Sequence, residues 1–223
     1  MEIFENSKKV EQKIQQSLEK SGRSPQDLTV VAVTKTKTIP QVEELYQFGY
    51  RHFAENRVEG FLEKKEDMNL PEVKWHFIGS LQTRKVKTVI NEIDYFHALD
   101  RESLAKEINK RADHTIACFV QVNVTGETSK HGVSPDGLES FIHVLSEFPM
   151  VKVVGLMTMA PVDANESELH ECFGRLKNLQ EVIEAKQLEY APCRHTSMGM
   201  SNDYEIAIQE GASFVRIGSA FFE

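Results

Sequence analysis

The sequence predicts an α/β protein, a single (β/α)₈ TIM barrel over residues 1–223 with an extra N-terminal helix, and three observations carry that prediction. Eight short apolar runs alternate with polar, amphipathic stretches along the 223 residues, as parallel strands joined by helical crossovers require. Several runs are almost continuously apolar, which suits strands buried on both faces. The length lies near the small end of the range for such barrels. The rival architecture, a doubly wound open sheet, is disfavoured because no G-x-G-x-x-G follows the first strand.

The elements follow in order. Apolar residues at 3, 4, 10, 14 and 18 have near-helical spacing, so residues 3–18 form a helix that Gly22 ends. The strand candidates are 29–34, 51–54, 74–78, 94–99, 117–124, 151–157, 194–198 and 213–217. Thr38-Ile39-Pro40 and Ser134-Pro135-Asp136 look like N-caps followed by proline in the first turn of a helix. Ser201-Asn202-Asp203-Tyr204-Glu205 offers capping side chains and early acidic residues before another helix, in which Tyr204 is placed.

Composition narrows the function classes. A formal charge of −8, from 26 Lys+Arg against 34 Asp+Glu, repels nucleic acid and anionic membrane. The short basic run Arg84-Lys85-Val86-Lys87 reads as a solvated helix face. The three cysteines, Cys118, Cys172 and Cys193, form no CxxC pair, which fits a reducing compartment and suggests neither a disulfide framework nor a zinc knuckle. Cys118 and Cys172 read as core and Cys193 as a loop residue. No His/Asp/Glu spacing resembles a metal site. The N-terminus lacks an apolar signal core, and no stretch approaches the ~20 apolar residues of a membrane span. A cytoplasmic protein is expected, as monomer or homodimer.

In a barrel of this kind the site lies at the C-terminal ends of the strands. Those ends here are polar or small: Thr34-Lys35-Thr36-Lys37, Glu55-Asn56-Arg57, Gly79-Ser80, Asp100-Arg101, Asn123, Thr158, Ser197-Met198-Gly199 and Arg216-Ile217-Gly218-Ser219. The loops after strands seven and eight are Gly/Ser-rich, where barrels commonly bind phosphate. Gly199 and Gly218 permit close backbone approach, and Ser197, Ser201 and Ser219 are hydrogen-bond donors. Ordinary turn chemistry accounts for these residues equally well. Lys35 is delivered to the mouth by the apolar run VVAV. A lysine nucleophile must be neutral although its unperturbed pKa is about 10.4; desolvation and a neighbouring cation such as Lys37 or Arg216 act in that direction. A surface lysine at a strand end is the plainer alternative. A lysine imine beside a phosphate site suggests a phosphorylated carbonyl ligand, and both pyridoxal 5′-phosphate (PLP) and sugar-phosphate aldehydes qualify.

The strings VVAVTKTK, FAENRVEG, WHFIGSLQTRK, GLMTMAP, SMGMSNDYEIAIQEGASFVRIGSAFF and the SKHG loop together resemble the PLP homeostasis family, a relative of the alanine racemase N-terminal barrel. The resemblance runs from about residue 28 onward. It implies that Lys35 carries the cofactor as a Schiff base and that Asn56 lies beside its ring. Ser197, Gly218 and Ser219 resemble the phosphate-cradling positions, with Met198 among the cofactor-binding residues. Arg216 resembles the arginine that faces the pyridine nitrogen, and Lys130 resembles a second lysine near the mouth. The chain departs from the family at Thr34, where serine is usual, at Ala54, where glycine is usual, and at Ser80, Arg84 and His195-Thr196; it also stops at Glu223 without the usual short tail.

The resemblance further implies a non-catalytic PLP carrier that releases its cofactor by transimination, possible recipients being apo PLP-enzymes. An arginine at the ring nitrogen disfavours the protonated ring that carbanion chemistry uses, and no second domain is expected to supply a racemase's other base. A PLP-dependent racemase or lyase is the alternative, and a PLP-free Schiff-base aldolase a third. Lys37 and Lys130 are candidates for transimination. His52, His76 and His97 read as satisfied core or rim histidines and Met157, Met159, Met198 and Met200 as apolar wall; His131, beside Lys130, is within reach of a ligand, but the plainer reading is that it has no such role.

Overall fold

A computed structural model describes residues 2–68, 70–128 and 131–223. Eight parallel strands close into a barrel in chain order: β1 (Thr29–Val33), β2 (His52–Glu55), β3 (Lys74–Phe77), β4 (Tyr95–Leu99), β5 (Ile116–Gln121), β6 (Val151–Met157), β7 (His195–Ser197) and β8 (Phe214–Ile217). All eight predicted strands are present. The largest departure is β5, which stops at Gln121 instead of continuing to 124. Beyond Gln121 the chain turns to a returning loop: Val133 N–H donates to Gln121 O (2.8 Å) and Asn123 N–H to Val133 O (2.9 Å).

Helices α1 (Glu2–Lys20), α2 (Ile39–Phe48), α3 (Val58–Asp67), α4 (Val86–Val89), α5 (Glu102–Arg111), α6 (Leu138–Val144), α7 (Glu166–Glu184), α8 (Tyr204–Gln209) and α9 (Ser219–Phe222) surround the barrel. Thr38 caps α2 in a capping box with Gln41, and Pro40 lies in the first turn, as the sequence predicts. At Ser134-Pro135-Asp136 the helix starts later than predicted. Ser134 Oγ accepts from Gly137 N–H (3.1 Å), which makes a turn first, and α6 begins only at Leu138. Asp203 likewise turns its carboxylate back onto Met200 N–H (2.6 Å) before α8 starts.

The extra helix α1 packs its buried face, Ile3, Val10, Ile14 and Leu18, toward α2, α8 and α9. Phe4, counted in the predicted stripe, lies off that face and is exposed, edge-on to Phe48. Gly22 adopts φ +65°, and Arg23 N–H closes the helix end onto Leu18 O (2.9 Å). Arg23 then donates to Ile208 O (2.7 Å) and Ala212 O (2.8 Å), tying this end to the turn before β8.

Side chains alternate across each strand, so one set fills the barrel lumen. His52, His76, Tyr95, His97, Phe119 and Phe214 belong to it. His76 stacks on Tyr95 (centroids 4.5 Å) and His97 on Phe119 (4.4 Å), with Phe214 edge-on to Phe119 (5.1 Å). Gly155 makes room for this filling: a Cβ there would sit 2.2 Å from His195 O and 2.8 Å from the Phe119 ring. Cys118 and Cys172 are buried as predicted; Cys193 is in a loop and also buried, with φ +46°.

Gly155→Ala is therefore expected to destabilise the fold by about 3 kcal/mol or more, since backbone and ring must both shift. Gly22→Ala, with open space around its Cβ, carries only the left-handed backbone cost of about 1 kcal/mol. Urea unfolding of the two variants measures the difference.

Candidate functional site

The strand ends surround a cavity of about 570 Å³. Lys35 enters from the end of β1, Asn56 from β2, Arg216 from β8, and Gly218 and Ser219 from the turn into α9. Gln121, His131 and Ser201 complete much of the polar wall, and Met157, Met159 and Met200 supply apolar lining as predicted. A second cleft of about 830 Å³ shares Lys35 and Asn56 and extends over Lys37 and Arg57. Lys37 Nζ sits over the Phe222 ring, 4.8 Å from its centroid. Lys130 lies outside the described residues.

Of the predicted site residues, Lys35, Asn56, Arg216, Gly218 and Ser219 come together. Ser197 and Met198 do not line the cavity. Both are fully buried, and Ser197 Oγ accepts from Arg216 Nη1 (2.5 Å) beneath the floor. The serine that faces the cavity from this loop is Ser201. Its Oγ accepts from Gly218 N–H (3.1 Å) and Ala220 N–H (3.2 Å). These main-chain donors at the start of α9 suit an anionic oxygen equally well.

The peptide that carries Lys35 is clamped from below. Lys64, on α3, donates to Thr34 O (2.8 Å) and to Glu55 Oε1 (2.6 Å), and Thr34 Oγ1 donates to the same carboxylate oxygen (2.7 Å). Lys64 and Glu55 are almost completely withdrawn from water, their side chains 8% and 2% exposed. The hydroxyl of Thr34 is thus a working donor. Directly after Lys35, Thr36 takes φ +63°, a rare conformation for a β-branched residue and the kind of strain that collects at functional sites. In the sequence Glu55 stands out only as one of the polar strand ends, and Lys64 is not singled out. Its signal was a lysine two turns along the buried stripe that begins Val58, Phe61.

Arg216 is 3% exposed. Burial pulls its pKa down to about 10, with Asp203 acting in the opposite sense, so it remains cationic at neutral pH. Its second guanidinium nitrogen donates to Thr158 O (3.1 Å). Asp203, also lining the cavity, has its pKa raised by burial, opposed by its Met200 hydrogen bond and by Arg216. His76 and His97 are wholly buried and held well below the ordinary histidine range, chiefly by desolvation. Among the described residues no cluster of His, Cys, Asp and Glu suits a metal ion, and no helix is long and apolar enough to cross a membrane.

The family model described as "Alanine racemase, N-terminal domain" matches residues 6–223. A pyridoxal phosphate homeostasis protein of Aquifex aeolicus is 39% identical over 225 residues, which is 100% of this chain and 98% of that one. The protein of the same name from Escherichia coli K12 is 31% identical, covering 99% and 96%. The solved structure of PipY from Synechococcus elongatus with PLP bound has a TM-score of 0.83 at 28% identity, covering 94% of this chain and 100% of that one. Alanine racemase of Corynebacterium glutamicum shares the fold at 15% identity (TM-score 0.72), covering 99% of this chain and 59% of the racemase.

Lys64→Met leaves Glu55 charged and unpaired and is expected to reduce stability by about 3–5 kcal/mol; a double-mutant cycle with Glu55→Gln should recover much of that loss. A second expectation concerns pH. The unfolded chain binds protons at His76 and His97 below about pH 6.5 and the folded chain does not. Stability contributed by these neutral rings is present above that pH and falls as pH drops through it, by up to about 1.4 kcal/mol per pH unit for each ring. Urea titrations at pH 7.5 and 5.5, repeated on His76→Phe, check the slope.

Proposed function

The chain belongs to the pyridoxal phosphate homeostasis protein family, and from that premise we propose that it binds PLP in the cavity at the strand ends, holds it on Lys35 as a Schiff base, and serves cytoplasmic vitamin B6 homeostasis as a carrier. The single observation that carries this reading is the convergence of a lysine, a buried permanent cation and a set of main-chain and hydroxyl donors in one cavity of about 570 Å³. That volume suits a ligand of this size, and each donor type matches a part of the molecule.

PLP supplies an aldehyde that forms a reversible imine with a primary amine. The chain's own residues do the rest. Gly218 and Ala220 N–H with Ser219 and Ser201 hydroxyls receive the phosphate, and Asn56 bounds the ring. Lys35 would hold the aldehyde and would give it up to an incoming amine, on a small molecule or an apo PLP-enzyme, because the linkage is reversible. Lys37, beside Lys35 in the adjoining cleft, is a candidate to take part in that exchange.

Arg216 supports the carrier reading over a racemase or lyase. A guanidinium that stays charged at neutral pH disfavours a second positive charge on the pyridine nitrogen, and carbanion chemistry on PLP draws on that charge. Tyr204, the tyrosine near a strand end, is buried on α8 with its hydroxyl pKa raised to about 12, mainly by burial. It does not line the cavity.

Protein mixed with PLP should turn yellow and become irreversibly labelled on borohydride reduction, with the pyridoxyl group mapping to Lys35. Lys35→Ala should lose the band and bind PLP at least tenfold more weakly. A colourless wild-type protein, or label on another lysine, overturns the reading. Incubation with amino acids in deuterated water should show no α-proton exchange; rapid, Lys35-dependent exchange would establish the enzyme instead.

A further inference from the structure

A continuous column of hydrogen-bonded imidazoles runs through the barrel lumen. His52 Nδ1 lies 2.8 Å from His76 Nε2, His76 Nδ1 2.8 Å from His97 Nε2, and His97 Nδ1 2.8 Å from Ser197 Oγ. Ser197 in turn accepts from Arg216 at the cavity floor (2.5 Å). The other end reaches water: His52 is half-buried and lines a cleft with Thr29 and Tyr50 at the N-terminal ends of β1 and β2, on the face opposite the cavity. Strands β2, β3, β4 and β7 each contribute one member, at lumen positions that the parallel registers bring together.

The column has a direction. Arg216 has no lone pair to offer and must donate, so it occupies an acceptor site on Ser197 Oγ. Among the described residues His97 Nδ1 is the other partner of Ser197 Oγ, so the buried serine hydroxyl donates there, where it would otherwise lack an acceptor. A neutral imidazole whose Nδ1 accepts carries its proton on Nε2. His97 therefore donates to His76 Nδ1, His76 donates to His52 Nδ1, and the last proton of the series is on Nε2 of His52, the residue that lines the cleft. The groups around the column leave this arrangement intact. Asp94 and Lys74 act on His52 in opposite senses. His76 meets the rings of Tyr95 and Phe214, and His97 meets Phe119, Phe214 and the Arg216 charge.

We propose that His52, His76 and His97 form a proton conduit between the cleft at the N-terminal face and Ser197–Arg216 at the floor of the cavity, polarised by Arg216 to carry protons outward. The sequence balances without leaving charge in the barrel. Ser197 O–H passes to His97 Nδ1, His97 Nε2–H to His76 Nδ1, and His76 Nε2–H to His52 Nδ1; His52 Nε2–H leaves to water in the cleft. Ser197 Oγ regains a proton from Arg216 Nη1 while the guanidinium, which lines the cavity, takes one from an ammonium there. Each ring ends as the Nδ1–H tautomer, and a proton passing inward from the cleft along the same hydrogen bonds, when the amine is protonated again, restores the starting state. The purpose assigned here, removing the proton that an amine must lose to form an imine, rests on the PLP reading; the column itself does not.

The test uses nitrogen NMR of the histidine side chains in protein free of added PLP, so it succeeds or fails independently of cofactor binding. All three rings should be neutral with the proton on Nε2, and couplings should cross both inter-ring hydrogen bonds. An Nδ1–H tautomer or a cation at His76 or His97, or absent couplings, overturns the assignment. His52→Gln keeps polar atoms at the solvent end but cannot relay. It should slow solvent exchange of the His97 ring N–H at least tenfold, with backbone amide exchange of β4 unchanged. A column that is only structural exchanges by local opening and gives the same rate in both proteins, which would overturn the conduit. His52→Phe provides the same comparison if the glutamine variant is unstable.

Discussion

Arg216 is a permanent cation almost wholly withdrawn from water, and much of the barrel interior is arranged around accommodating it. Moving such a group out of water carries a penalty of several kcal/mol unless its donors are matched. Ser197 and Thr158 O match two of them, and Asp203 lies close enough to oppose the fall in its pKa. Using Ser197 in this way removes it from the cavity surface. In the proposed column it also sets which way the serine hydroxyl points and hence the tautomer of each imidazole below it. A single buried guanidinium thus links the cavity floor to the opposite end of the barrel.

The Lys35 side of the cavity is organised by a different buried charge. The Glu55 carboxylate collects Lys64 and the Thr34 hydroxyl, and Lys64 also grips the Thr34 carbonyl. The peptide entering Lys35 is therefore fixed to α3 as well as to the sheet. The left-handed Thr36 that follows sits in a turn closed by Lys37 N–H onto Thr34 O (3.0 Å). Rigid support with local strain beside Lys35 suits the role proposed for it, in which the amine is presented along one direction.

Much of this was legible in the chain because barrel strands announce themselves twice, as apolar runs and by the polar residues at their C-terminal ends. Lys35, Asn56, Arg216, Gly218 and Ser219 were found by that rule together with the family resemblance. Ser197 and Met198 sit on the same β7 end but outside the lining, because inward and outward positions alternate and the polarity of a residue does not say how deep in the lumen it lies. His52, His76 and His97 were recognised as interior residues. Their contact with one another was not legible, since it depends on the stagger between β2, β3 and β4.

The order of apolar and polar segments, the capping residues of α2 and the lysine at the end of β1 are local properties, and the sequence by itself determined them. Secondary structure follows from periodicities that act over a few residues. Only the closed barrel decided that Lys64 meets Glu55, that Ser201 rather than Ser197 faces the cavity, and that three imidazoles align beneath Arg216. Each of these depends on register and depth between segments far apart in the chain, which are set when the lumen is filled and every buried polar group must find a partner.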